Sequence, residues 1–149
     1  MAPLRLKNNT SFLLGVTGGF GTGKSLAIEI LRQKGIPVLD ADKIAKGIVK
    51  RGFPAYRLIV SHFGKSICLK NGQIDRAALG KIVFQNKSKR KILEGITHPR
   101  IRSIIFKRAK KLCQKGHRLV AIEAPLLFEA HFHTMLDETW VIWAPEKVA

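Results

Sequence analysis

The sequence predicts a three-layer α/β fold, a parallel sheet between helices with a helical insertion, and three observations carry that prediction. Short β-branched and aliphatic runs alternate with helical patterns near both ends of the chain. A glycine-rich loop separates the first run from the first helix. From about Ala45 to Gly116 the pattern is mainly helical, with no convincing strand.

The predicted strands are Phe12–Val16, Ile36–Leu39, Leu119–Glu123 and Thr139–Trp143. Between the first two, a helix opens near Lys24 with Leu26, Ile28, Ile30 and Leu31 apolar, and Gly35 is placed to stop it. These pieces make one βαβ unit. In the helical stretch, Pro54 suits the first turn of a helix running to Phe63, and Asp75 can cap a helix carrying Ala78, Leu79, Ile82 and Val83. Pro99 suits the first turn of a third, in which Ile101, Ile104, Ile105, Ala109 and Leu112 share a face. The expected division is one domain, with a core of about 10–44 and 117–149 and an insertion of about 45–116 packed on the sheet.

At 149 residues the chain can close one hydrophobic core without disulfide or metal staples. The apolar fraction of 46% is ordinary, and no apolar run approaches the ~20 residues of a membrane-spanning helix, so a soluble, cytoplasmic protein is expected. Cys68 and Cys113 lack metal-ligand spacing and read as reduced bystanders or small apolar residues. The unusual quantity is charge. Lys and Arg number 27 against 10 Asp and Glu, a net charge of +17, which draws polyanions without naming an activity. Much of the excess falls between Gln85 and Arg118, where the only acid is Glu94.

The stretch GGFGTGKS fits G-x-x-x-x-G-K-[ST] through Gly18, Gly23, Lys24 and Ser25, in a strand–loop–helix context that gives the motif weight. Glycines let successive backbone N–H groups turn toward phosphate oxygens, and the following helix adds its positive end. Lys24 supplies a mobile cation for the β- and γ-phosphates, and the Ser25 hydroxyl suits Mg²⁺. The fold expectation therefore sharpens to a P-loop NTPase-type sheet. No guanine-reading N-K-x-D stretch is present, and the chain is short for a motor, so a small kinase fits best. The second strand ends in LDAD, which makes Asp40 the candidate carboxylate on the acceptor side. Asp40 and Asp42 equally suit a helix N-cap.

With these residues in place, the chain resembles the dephospho-CoA kinases along nearly its whole length. The matching pieces are GVTGGFGTGKS, DAD at 40–42, HFG at 62–64, NGQIDRAALGKIVF at 71–84, HP at 98–99 and EAPLLFE at 123–129. The resemblance implies transfer of the γ-phosphoryl group of ATP, with Mg²⁺, to the 3′-hydroxyl of dephospho-CoA. It implies that Gly19, Phe20, Gly21, Thr22, Gly23, Lys24, Ser25 and Leu26 hold the nucleotide, with Ser25 and Asp40 toward the metal. Lys24 and Asp40 would be the catalytic pair, and Thr17, Asp40, His98, Leu126, Leu127 and Glu129 would bind the acceptor. His98 also reads as a helix-entry residue, and Pro125 to Phe128 as core packing. A metal pair at His131 and His133 lacks a third ligand in the sequence nearby.

The family pattern continues after TWVIW and APE into an arginine-bearing lid helix, a strand and further helices, whereas this sequence ends at Ala149. The expectation is a fragment or a shortened form with weak activity, since one such arginine is worth about 10³ in rate in other phosphoryl-transfer enzymes. Self-association through the exposed edge is a further expectation. Competing readings are another small-molecule P-loop kinase, of nucleoside or shikimate type, a catalytically dead remnant that only binds partners, and a nucleotide-dependent nucleic-acid-binding protein. Against the last stand a single Tyr and no aromatic-rich RNA-binding signature, so no specific nucleic acid is expected.

Overall fold

The computed structural model describes residues 11–19, 21–124 and 132–145 of the chain, without the side chains of 132 and 133. Its described elements run β1 (Phe12–Gly18), α1 (Lys24–Gln33), β2 (Val38–Asp40), α2 (Ala41–Ile48), α3 (Pro54–Phe63), α4 (Arg76–Gln85), α5 (Lys87–Gln114), β3 (Leu119–Glu123) and β4 (Glu138–Ile142). Two short 3₁₀ turns, Lys65–Ile67 and Phe132–Met135, complete the order. The chain divides into two compact units, one formed by residues up to Asp42 with those from Ile104 on, the other by Lys43–Ser103.

In the first unit the strands form a parallel sheet in the order β2-β3-β1-β4. Residues 13–17 of β1, the inner strand that leads into the glycine loop, are all buried. Leu14 and Val16 pack with Ile28 and Leu31 of α1 and Ala121 of β3, and Ile36, Val38, Leu119 and Ile142 close around them. On α1 the four apolar positions divide. Ile28 and Leu31 are buried, while Leu26 and Ile30 stay exposed. Gly35 does end this helix, at φ +78°, with its N–H bonded to the Arg32 carbonyl and the Ile36 N–H bonded to the Leu31 carbonyl. That closure takes the Ile36 donor, and Pro37 has none, so β2 begins at Val38 and reaches Asp40 rather than running from Ile36 to Leu39. At the far edge, β4 runs Glu138–Ile142, one residue earlier than expected, because Asp137 pins its start: its N–H bonds the Leu13 carbonyl and its Oδ2 accepts the Leu13 N–H at 2.7 Å.

In the second unit the expected helices at Pro54 and Asp75 form, and the Asp75 carboxylate accepts the Ala78 N–H at 3.2 Å. Ala55, Ile59, Ile67, Ile74, Leu79 and Ile96 are buried there. The third helix departs from expectation. It does not start at Pro99 but runs unbroken from Lys87, with Asn86 Oδ1 accepting the Lys89 N–H at 3.1 Å at its start. Pro99 removes the bond that would reach back to Gly95, and a glycine there leaves the backbone free to make room for the ring. Nearby carbonyls are taken by side chains: Thr97 Oγ1 donates to Leu93 O at 3.0 Å, and Arg100 Nη1 to Ile96 O at 2.7 Å.

Candidate functional site

The glycine loop is built where β1 hands over to α1. Gly18, the last residue of β1, lies in register with Ile142 of β4, and a Cβ on it would stand 2.7 Å from the Ile142 carbonyl oxygen. Only glycine admits that approach. Past Gly19, Gly21 and Gly23 take left-handed φ of +74° and +91°, and Thr22 Oγ1 donates to the Gly19 carbonyl at 2.7 Å, closing the turn. Gly23 then occupies the N-cap of α1 without a side-chain cap, so the first N–H groups of the helix are not taken by a capping side chain. A loop of left-handed glycines that ends on such a helix terminus is suited to bind phosphate.

Ser25 and Leu26 lie in the first turn of α1 and are exposed. Lys24, at the head of α1, extends to Glu123 on β3, with Nζ 3.8 Å from Oε1 and both side chains mostly buried. Glu123 ends β3 in register with Asp40, which ends β2. Paired positions on neighbouring parallel strands point to one face about 4.8 Å apart, so the C-terminal edge of the sheet gathers one cation and two carboxylates beside the loop. Asp40 also serves the helix after it, because its Oδ1 accepts the Asp42 N–H at 2.9 Å. The carboxylate and capping readings thus fall on the same residue. Asp42 is the donor in that bond. Thr17 is buried near the end of β1, in register with Val141.

His98 is half-buried inside α5, one residue before Pro99, in the second unit. It lies in a helix interior and not at a helix entry. Phe20, Leu126, Leu127, Glu129 and His131 lie outside the described residues, as does the side chain of His133. Among the described residues no three His, Cys, Asp or Glu side chains gather as a metal site. Mg²⁺ held by phosphate needs no such cage, since one or two carboxylates with substrate oxygens and water suffice. Ser25, Asp40 and Glu123 offer that kind of oxygen set. Glu123 was not among the sequence candidates. The available signal was its place at the end of the strand before APLLFE, but only the folded chain, through the 3.8 Å ion pair, shows that it faces the lysine.

A family model described as dephospho-CoA kinase matches residues 12–148. The dephospho-CoA kinase of Carboxydothermus hydrogenoformans is 44% identical over 135 residues, covering 91% of this chain and 66% of that protein. That of Moorella thermoacetica is 44% identical over 138 residues, covering 92% and 65%. Among solved structures, a Thermus thermophilus protein superposes with a TM-score of 0.76 at 30% identity, over 94% of this chain and 69% of that one. The dephospho-CoA kinase from Campylobacter jejuni superposes with a TM-score of 0.65 at 38% identity, over 79% and 59%. The chain spans about two thirds of the length of the curated relatives it matches. Among the described residues no helix is long and apolar enough to cross a membrane.

Proposed function

The chain belongs to the dephospho-CoA kinase family, and on that premise we propose that it phosphorylates the 3′-hydroxyl of dephospho-CoA with ATP, in the cytoplasm, to give CoA. The observation that carries the reading is the meeting of Lys24, Asp40 and Glu123 beside the glycine loop. The relatives' own names supply the acceptor.

In this reading the backbone N–H groups of residues 19–24 and the N-terminus of α1 cradle the phosphates, and Lys24 leaves Glu123 to bind β- and γ-oxygens. Asp40 takes the proton of the acceptor hydroxyl as the new O–P bond forms and the bond from the β–γ bridging oxygen to the γ-phosphorus breaks, releasing ADP. Ser25, with Asp40 and Glu123 through water, would hold Mg²⁺, which supplies charge neutralisation when bound. His98 of the insertion, with Thr17, Leu126, Leu127 and Glu129, is assigned to the acceptor side.

Mass-spectrometric detection of CoA from dephospho-CoA and Mg·ATP tests this, run beside Lys24→Ala and with adenosine and shikimate as control acceptors. CoA formed only with intact Lys24 is expected. Phosphorylation of a control acceptor in its place would overturn the assignment.

A further inference from the structure

Outside the nucleotide site, a strongly charged feature lies on the C-terminal half of α5, within the first unit. Lys107, Arg108, Lys110, Lys111 and Gln114 line a shallow, open depression of about 450 Å³. All of these side chains are exposed. Positions 107, 110, 111 and 114 follow helical i, i+3, i+4, i+7 spacing and form one face. Ile105 and Ala109 on the opposite face are fully buried, so the orientation of the helix is fixed by its core side.

Nothing in this stretch balances the charge. From Gly95 to Ile122 the sequence carries eight basic residues and no acidic one, and among the described residues no ion pair reaches the four cations of the depression. The negative end of a helix favours cations in its last turn, which accounts for Lys111 and its neighbour. It does not account for four in two turns, continued by Lys115 and Arg118 just beyond. Packing so many like charges on one face costs stability through mutual repulsion, and an anionic partner removes that cost.

We propose that this face of α5 docks the phosphate backbone of duplex nucleic acid without reading its sequence. A small phosphate ligand is a poor fit, because interior helix N–H groups are already bonded and the depression offers only side-chain cations in an open surface. An extended polyanion fits. From Lys107 to Gln114 the face runs about 10 Å at 1.5 Å per residue, equal to about three base-pair steps along the duplex axis, where each strand carries one phosphate per 3.4 Å of axis. Single strands are disfavoured because no aromatic residue lines the depression for bases to stack on. A membrane surface is disfavoured because the apolar face of the helix is buried and no large exposed hydrophobic residue lies between Ile104 and Arg118 to insert.

The test is fluorescence anisotropy of a labelled, mixed-sequence duplex of about 20 base pairs with the full chain, titrated between about 50 and 200 mM salt. Lys107→Ala/Arg108→Ala/Lys110→Ala/Lys111→Ala is compared with a charge-matched control, Lys34→Ala/Lys65→Ala/Lys70→Ala/Lys81→Ala, both checked for folding by circular dichroism. Alanine preserves helix propensity at these exposed sites. The log–log salt slope is expected to fall by about 3 to 4 in the α5 variant, with affinity at low salt down at least about tenfold, against less than about threefold in the control. Lys110→Gln/Lys111→Gln, a milder change, is expected to give about half the slope change. Equal losses in both quadruple variants would reduce the effect to net charge and overturn the proposal. So would an absence of duplex binding, or binding only to vesicles of about 30% anionic lipid.

Discussion

Asp40 and Glu123 stand in register at the C-terminal ends of β2 and β3, with Lys24 reaching Glu123 from the head of α1. Two carboxylates that close would repel, and a lysine beside them offsets the repulsion. At 3.8 Å the pair is a long contact between mostly buried side chains, where desolvation offsets much of the Coulomb attraction.

Glu123→Gln is expected to lower kcat by about 10² to 10³, and to lower the melting temperature as well because Lys24 is left without its partner. Steady-state CoA formation and a thermal melt on the same preparation check it. Unchanged kcat would make the pair a structural contact only. Asp40→Asn separates the capping bond of Asp40 from its proposed role as base. Asparagine caps a helix as well as aspartate, so the bond from the Asp42 N–H survives while the base is lost. Activity should fall by at least about 10² with α2 intact.

The candidate site was legible in the sequence as far as its residues are local to one another. A phosphate loop is encoded by glycine spacing between a strand and a helix, and Asp40 follows its own strand. Glu123 was not legible as a partner of Lys24, because strand register is a long-range property and 99 residues separate the two. The helix expected at Pro99 fails for a related reason. Proline reads as a helix start when only its own turn is weighed, but Asn86 already begins the helix, and Gly95 accommodates the ring four residues before it. The late start of β2 depends on where Ile36 sends its N–H, which the apolar pattern of Ile36–Leu39 does not reveal.

Gly18→Ala tests the fit between the loop and β4. The added methyl would meet a backbone oxygen, Ile142 O, at 2.7 Å and the Thr22 hydroxyl at 3.0 Å, and a backbone atom in a sheet cannot swing aside. Stability should fall by about 1 to 3 kcal/mol, and ATP affinity should fall at least about tenfold because the loop is displaced. Calorimetric melting and ATP titration read the two effects. Loss of stability with unchanged ATP affinity would show that β4 does not position the loop.

Gly72→Ala tests a turn in the second unit. Gly72 has φ +85°, and its Cβ would lie 2.8 Å from Arg51 Nη1, whose guanidinium also donates to the Asn71 carbonyl at 3.1 Å. The guanidinium is the far end of a flexible side chain, so it can move, but the left-handed backbone remains strained by about 1 to 2 kcal/mol. In an Arg51→Ala background the Gly72→Ala cost should drop toward that backbone value alone. Denaturant unfolding of the four proteins of this cycle gives the coupling, and strict additivity would remove Arg51 from the account.

Tyr56 makes the same turn sensitive to alkali. Its hydroxyl donates to the Gly72 carbonyl at 2.5 Å, and its oxygen lies 3.9 Å from the Cys68 sulfur. Burial of the ring, and then the hydrogen bond with Cys68, raise the Tyr56 pKa above its usual 10.0. A raised folded pKa means that the protonated phenol is favoured by folding. Its contribution is complete below the unfolded pKa and is lost as pH rises through the folded one. Tyr56→Phe should accordingly melt below the wild type at about pH 8, and the gap should close above about pH 10. Lysine titration affects both proteins alike and cancels in the difference. Since Tyr56 is the only tyrosine in the chain, phenolate absorbance follows the group directly, and its midpoint should lie above that of the unfolded protein. A midpoint equal to the unfolded value, or a gap that does not change with pH, would show that the hydroxyl does not tie the turn to α3.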